Sequence, residues 1–158
     1  PDRKQAGAFP EIHAANSFIG NMLRMELLSR AGRSQQILEE SIGYLLYMAE
    51  RTGTLWENVG AEASLNHGFA SHIVRTLQRD VLGVHAVDPL RKVITLRFGD
   101  AKLAWCEGTV PTPDGPVRLR WWRDGGALDY RVEVPAGYRV EVGGRDPFIG
   151  SCSTGAAG

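Results

Sequence analysis

The residue types best suited to chemistry sit in two short runs, Thr54-Leu55-Trp56-Glu57-Asn58 and Ser64-Leu65-Asn66-His67-Gly68. A carboxylate held between an indole and an amide suits general acid or base catalysis, because an apolar wall and a hydrogen-bonding neighbour tune a carboxyl group. A neutral imidazole nearby could hydrogen-bond a hydroxyl-rich substrate. Plainer roles fit the same residues: a surface Glu57 above a buried Trp56, and a His67 satisfied by backbone at a helix start. Spacing leaves both readings open, and the plainer one is commoner.

Other reactive groups form no pattern. His13 and His72 read as structural histidines, and the interval from His67 to His72 is one residue longer than that of a helical metal pair. No glycine-rich phosphate loop and no nucleophile elbow occurs. No cofactor is expected. Cys106 falls in a strand pattern and Cys152 in a Gly/Ser-rich tail, so a disulfide between them is open but a disulfide framework is excluded. Arg118, Arg120, Trp122 and Arg123 place basic and aromatic groups on one strand, suited to an anion, a stacked sugar or a solvated face paired with nearby acids.

Lys plus Arg and Asp plus Glu balance at 18 each, which removes any overall electrostatic reason to expect nucleic acid or an anionic membrane as partner. No run of apolar residues is long enough to span a bilayer. The compartment is not encoded in any segment.

Two helices flank the first run and a third follows the second. Phe18, Ile19, Met22, Leu23, Leu27 and Leu28 recur at helical spacing over 14–31, and Gly32 suits a left-handed stop. Ser34 reads as an N-cap for a helix carrying Ile37, Leu38, Ile42, Leu45, Leu46 and Ala49. The pair forms a helical hairpin. Phe69, Ile73, Val74, Leu77 and Val81 mark the third helix, closed by Gly83.

After Pro89 the period changes to two. Ile94, Leu96 and Phe98, then Val117, Leu119 and Trp121, then Leu128, Tyr130, Val132 and Val134, and finally Tyr138, Val140 and Val142 alternate with polar residues between short turns. Such alternation predicts antiparallel strands with one buried face. The fold class is α+β: a helical segment over 1–84, an antiparallel β-sandwich-like module over 85–143, and a mobile tail over 144–158.

The pairing of Thr54-Leu55-Trp56-Glu57 with Ser64-Leu65-Asn66-His67-Gly68, in this order of helices then strands, resembles bacterial α-L-rhamnosidases. The likeness extends over 14–142. It takes in the 16–52 hairpin, the turn Thr112-Pro113-Asp114-Gly115 and the closing Val134-Pro135-Ala136-Gly137. It implies the last hairpins of an (α/α)6 six-hairpin barrel followed by a C-terminal β-sandwich. It implies inverting hydrolysis of terminal α-L-rhamnosides, with Glu57 as general base, His67 and Asn66 binding the sugar and Trp56 forming a subsite wall. The family's general acid belongs to an acidic motif earlier in the barrel, outside this chain. The loop from Glu57 to His67 is shorter than in many relatives, and Glu62 within it is a second candidate base.

Three helices cannot close a twelve-helix ring. The resemblance therefore implies a C-terminal portion whose partners are a carbohydrate substrate and the remainder of the barrel, inactive when isolated and prone to self-association. Two other functions suit the residues: a six-hairpin glycosidase for a different sugar, and a non-catalytic carbohydrate-binding or interaction module using the Arg/Trp strand face.

Overall fold

The computed structural model describes residues 18–58 and 63–143, and the backbone of 149–156. Helix α1 (Phe18–Arg30) ends in a left-handed Gly32 at φ +67°. The Arg33 N–H donates to the Leu28 carbonyl and the Gly32 N–H to that of Ser29, at 2.9 and 3.0 Å. This double reverse bond satisfies the last carbonyls of the helix and needs a residue free to adopt positive φ, hence glycine.

Helix α2 (Ser34–Ser41) runs through a π-helical turn (Ile42–Leu46) into α3 (Tyr47–Thr52), which stops at Gly53. Ser34 does not cap α2. It lies inside the helix and is buried, and a carboxylate from a distant loop does the capping: Asp100 accepts the Gln35 N–H at 2.9 Å. The third helical segment combines a 3-10 turn (Gly68–Ser71), α4 (His72–Leu77) and a π-helical turn (Gln78–Leu82).

These helices share a core of Met25, Ile37, Leu45, Met48, Trp56, Ile73 and Val81. The expected stripe on α1 is only half right. Its buried positions are Phe18, Asn21, Met25 and Ser29, whereas Ile19, Leu23 and Leu27 are 52%, 56% and 67% exposed. Ile42, Leu46 and Ala49 likewise face outward along the second helix. Apolar residues surround these helices on more than one side, and a helix of that kind belongs inside a larger assembly.

Among the described residues seven strands follow: β1 (Val84–Asp88), β2 (Val93–Leu96), β3 (Trp105–Val110), β4 (Val117–Asp124), β5 (Ala127–Val134), β6 (Arg139–Val142) and β7 (Ile149–Ala156). They form two sheets, ordered β1-β2-β6 and β3-β4-β5-β7. Most pairings are antiparallel, as alternation predicted. Two are parallel, β2 with β6 and β5 with β7. The short Pro135–Tyr138 link does not make a hairpin; it carries the chain from one sheet to the other, so β6 enters alongside β2 in the same direction. The stretch read as a mobile tail thus contains a strand, β7, while 144–148 and 157–158 lie outside the described residues.

The sheets enclose Val84, Ile94, Leu96, Val117, Leu119, Trp121, Leu128, Tyr130 and Val132. Val142, expected to face in, is 40% exposed at the end of β6. Cys106 is a free thiol on β3, which β4 and β5 separate from the β7 strand that carries Cys152. Helices and sheets are joined closely. The indole N–H of Trp121 donates to the Leu82 carbonyl at 3.0 Å, satisfying the end of the third helix from within the sandwich. Leu103 and Cys106 pack against both cores.

Candidate active site

Glu57 and His67 come together at the mouth of the helical half. Thr52 and Thr54 share a hydroxyl–hydroxyl bond of 2.6 Å at the end of α3, and Thr54 also donates to the Leu65 carbonyl. The Glu57 N–H donates to Ser64 O at 2.9 Å and the His67 N–H to Leu55 O at 2.8 Å. These bonds zip the two sequence runs into a pair of adjacent segments. Backbone pairing of this kind sets where the two side chains start; the intervening residues 59–62, Glu62 among them, lie outside the described set. His13 lies outside it too.

The Glu57 carboxylate oxygen is 4.0 Å from Nδ1 of His67, and the two side chains are 42% and 32% exposed. Ser64 adds a long backbone N–H bond to the same carboxylate oxygen, at 3.4 Å. Asn66 is exposed next to them, its peptide groups tied to the Ser64 hydroxyl. A half-exposed carboxylate with one long hydrogen bond keeps lone pairs free for a water or a hydroxyl.

Phe18 is the residue that sequence reasoning missed. Its ring stacks on His67 with centroids 4.4 Å apart and planes inclined by 28°. Its backbone N–H donates to the Glu57 carbonyl at 2.9 Å. One residue at the start of α1 thus holds both members of the pair. Helical periodicity marked Phe18 only as core, and no local pattern links it to a loop forty residues on.

Trp56 does not form the expected wall. It is 4% exposed and packs in the helical core, its indole N–H donating to the Thr52 hydroxyl at 2.7 Å and its ring edge-on to Tyr47 at 5.7 Å. Its neighbour Glu57 keeps a 42% exposed side chain. Trp56 anchors the loop from below, and the aromatic surface beside the pair comes from Phe18 and the exposed Phe69, 5.3 Å apart.

His72 is remote from this chemistry. Burial holds its imidazole below the usual histidine range, Nδ1 lies 3.3 Å from the Phe69 carbonyl, and Nε2 is buried without a partner among the described residues. Among the described residues no three of His, Cys, Asp and Glu gather as a metal site, and no helix is long and apolar enough to cross a membrane. On β4, Arg118, Arg120 and Trp122 share the outer face as expected, but Arg123 turns to the other side, where it reaches the Gly99 carbonyl. Arg118 and Arg120 pair with Glu133 and Glu107 at 3.6 and 3.3 Å.

Known proteins place this arrangement in context. Residues 83–143 match the family described as the bacterial alpha-L-rhamnosidase C-terminal domain. A protein named alpha-L-rhamnosidase from Alteromonas sp. (strain LOR) is 28% identical over 148 residues, covering 83% of this chain and 16% of that protein. The crystal structure of a GH78 family rhamnosidase from Bacillus sp. GL1 superposes with a TM-score of 0.77 over 90% of this chain and 16% of that one, at 24% identity; this likeness is one of fold. The chain therefore spans about one sixth of the length of the relatives it matches.

Proposed function

We propose that this chain, which is similar to the C-terminal portion of bacterial α-L-rhamnosidases, supplies the base side of an inverting glycoside hydrolase that removes terminal α-L-rhamnose. Glu57 accepts a proton from a water as that water attacks the anomeric carbon, and the glycosidic bond breaks on the opposite face. The leaving oxygen takes its proton from a carboxylic acid that inverting geometry puts about 6.5–9.5 Å from the base. That acid belongs to the remainder of the barrel. His67 and Asn66 hydrogen-bond the sugar hydroxyls, and Phe18 keeps the imidazole in place.

The observation that carries this reading is the approach of the Glu57 carboxylate to His67 at 4.0 Å across two loop segments zipped by backbone bonds. The exposed row Ile19, Leu23 and Leu27 supports the rest, since these residues require cover that the remaining hairpins of a barrel would give. In this reading the described helices within 18–82 belong to the closing part of that barrel and strands β1–β7 to its C-terminal sandwich. The test is a longer protein containing both this chain and the upstream hairpins, assayed on a panel of aryl glycosides with and without Glu57→Gln. Loss confined to the α-L-rhamnoside supports the assignment. Loss on another glycoside names a different sugar.

One observation favours a second reading. Trp105 is 58% exposed, stands opposite Trp122 across β3 and β4, and has the Arg120 guanidinium 5.6 Å from its ring centre. An exposed indole beside a half-buried one on a sheet suits sugar stacking, which would let the sandwich bind carbohydrate without catalysis. Sugar binding that survives Glu57→Gln and His67→Ala but is lost in Trp122→Ala would support this module over the hydrolase.

A further inference from the structure

A second concavity lies away from Glu57. It is a cleft of about 1260 Å³ where the turn after α1 and the loop between β2 and β3 meet, and no residue of the Thr54–His67 segment lines it. Four cationic side chains line it, Arg30, Arg97, Lys102 and Arg123, against two carboxylates, Asp80 and Asp100.

Each carboxylate has a partner, but only Asp80 is met by cations. Asp80 is 5% exposed; it accepts the Ser29 hydroxyl and the Arg79 Nε–H, each at 2.8 Å, and lies 3.6 Å from an Arg97 nitrogen. Asp100 caps α2 through the Gln35 N–H. By contrast, Arg30 and Lys102 have no carboxylate within ion-pair distance among the described residues. Among the described residues the Arg123 guanidinium meets the Gly99 carbonyl at 3.4 Å and the Trp121 ring at 5.8 Å, and no carboxylate. Three cations thus line one recess without an ion-pair partner among the described residues, against the single unpaired carboxylate of Asp100, which leaves a cationic excess.

The recess is also rigid. A Cβ on Gly99 would stand 2.0 Å from the Ser34 hydroxyl, so the β2–β3 loop is pressed directly onto α2. Gln35 ties the same loop from the other side by accepting the Lys102 N–H at 2.7 Å. A concave wall with an excess of one sign of charge focuses potential and concentrates counter-ions of the opposite sign. Its fixed geometry lowers the ordering cost of binding. The volume exceeds the roughly 300–1,000 Å³ of ordinary small-ligand pockets, which leaves room for a sugar ring with its charged substituent.

We infer that this cleft binds an oxyanion carried on a saccharide, a carboxylate or sulfate group, through Arg30, Lys102 and Arg123. The saccharide half of this statement rests on the carbohydrate reading of the chain; the anion half rests on the cleft alone. The cleft is separate from the Glu57 pair and would grip an acidic unit of a polymer at a distance from the bond being cut.

Amide chemical shifts of Gly99, Lys102 and Arg123 in the full 158-residue chain test it, titrated separately with methyl β-D-glucuronide, glucose 6-sulfate, methyl β-D-glucoside and inorganic sulfate. The expected result is saturable shifts with the two acidic sugars, none with the neutral one, and affinity weakened about tenfold by Arg30→Gln with Lys102→Gln and by about 0.5 M sodium chloride. Both substituted side chains are exposed, so the double variant should keep its fold, checked by near-UV circular dichroism. If it does not, Arg123→Gln takes its place. Saturation by inorganic sulfate alone would overturn the saccharide assignment, and absence of saturation with any anion would overturn the site. Neither outcome bears on hydrolysis, which is read separately through Glu57.

Discussion

The imidazole of His67 is sandwiched between two constraints: the Phe18 ring at 4.4 Å on its face and the Glu57 carboxylate at 4.0 Å from Nδ1. Because Phe18 also donates its N–H to the Glu57 carbonyl, the pair is held from α1 as well as by the bonds within its own loop. Phe18→Leu keeps the backbone bond and removes the stack. It should cost about 1–2 kcal/mol in stability from the lost aromatic pair and its small cavity. In the longer protein it should raise KM for the glycoside more than it lowers kcat. Equal affinity in Phe18→Leu and wild type would mean that the stack is incidental.

The contact between Gly99 and Ser34 gives a second test, on the joint between helices and sandwich. Gly99→Ala places a methyl 2.0 Å from the Ser34 hydroxyl and 2.7 Å from its Cβ. Overpacking of this severity should destabilise by about 1–3 kcal/mol. Ser34→Gly in the same chain should recover most of that loss, read as a coupling energy from denaturant midpoints of the four proteins. Additive effects would show that loop and helix move independently.

Much of this architecture was legible in the sequence. The stops at Gly32 and Gly83 came from turn chemistry that needs no tertiary information. The strands came from alternation, since Val117, Leu119 and Trp121 are all buried and Arg118 and Arg120 are not. What was illegible depends on distant partners. Asp100 caps a helix 65 residues earlier, so Ser34 had the right type for a cap it does not provide. Parallel pairing of β6 depends on which sheet the chain enters after Pro135, which alternation cannot say. On α1, hydrophobicity identified residues that want cover, but the neighbour in this chain packs on Asn21, Met25 and Ser29. At the site, Glu57 and His67 were legible as types and spacing; Phe18 above them and Trp56 turned inward were not.

The uncovered row Ile19, Leu23 and Leu27 should make the isolated chain self-associate, since its side chains follow one another at helical turns and are all more than half exposed. Light scattering should show concentration-dependent assembly that Leu23→Glu with Leu27→Glu abolishes. A wild-type monomer at every concentration would remove the argument that this face is built for cover.

Acid sensitivity has an identifiable contributor in the helical hairpin. The Arg24 guanidinium hydrogen-bonds Glu40 and holds its carboxyl below the usual range, with Gln36 adding a bond. A depressed acid stabilises the fold above its unfolded pKa, and that contribution disappears as pH falls through the lower folded value. Wild type should therefore exceed Glu40→Gln by up to about 1 kcal/mol at neutral pH, the gap closing below the ordinary carboxylate range. A pH-independent gap would assign the difference to packing and not to charge.

The central claim is that Glu57 removes a proton from water in the hydrolysis of α-L-rhamnosides. The most direct measurement is turnover of an aryl α-L-rhamnoside by the longer protein carrying Glu57→Ala, with and without sodium azide, alongside the wild type. Loss of a general base should lower kcat by about 10²–10⁴-fold without loss of fold. Azide, which needs no base, should restore product as a rhamnosyl azide of inverted configuration. Turnover by Glu57→Ala within a few-fold of wild type, or product of retained configuration, would contradict the assignment.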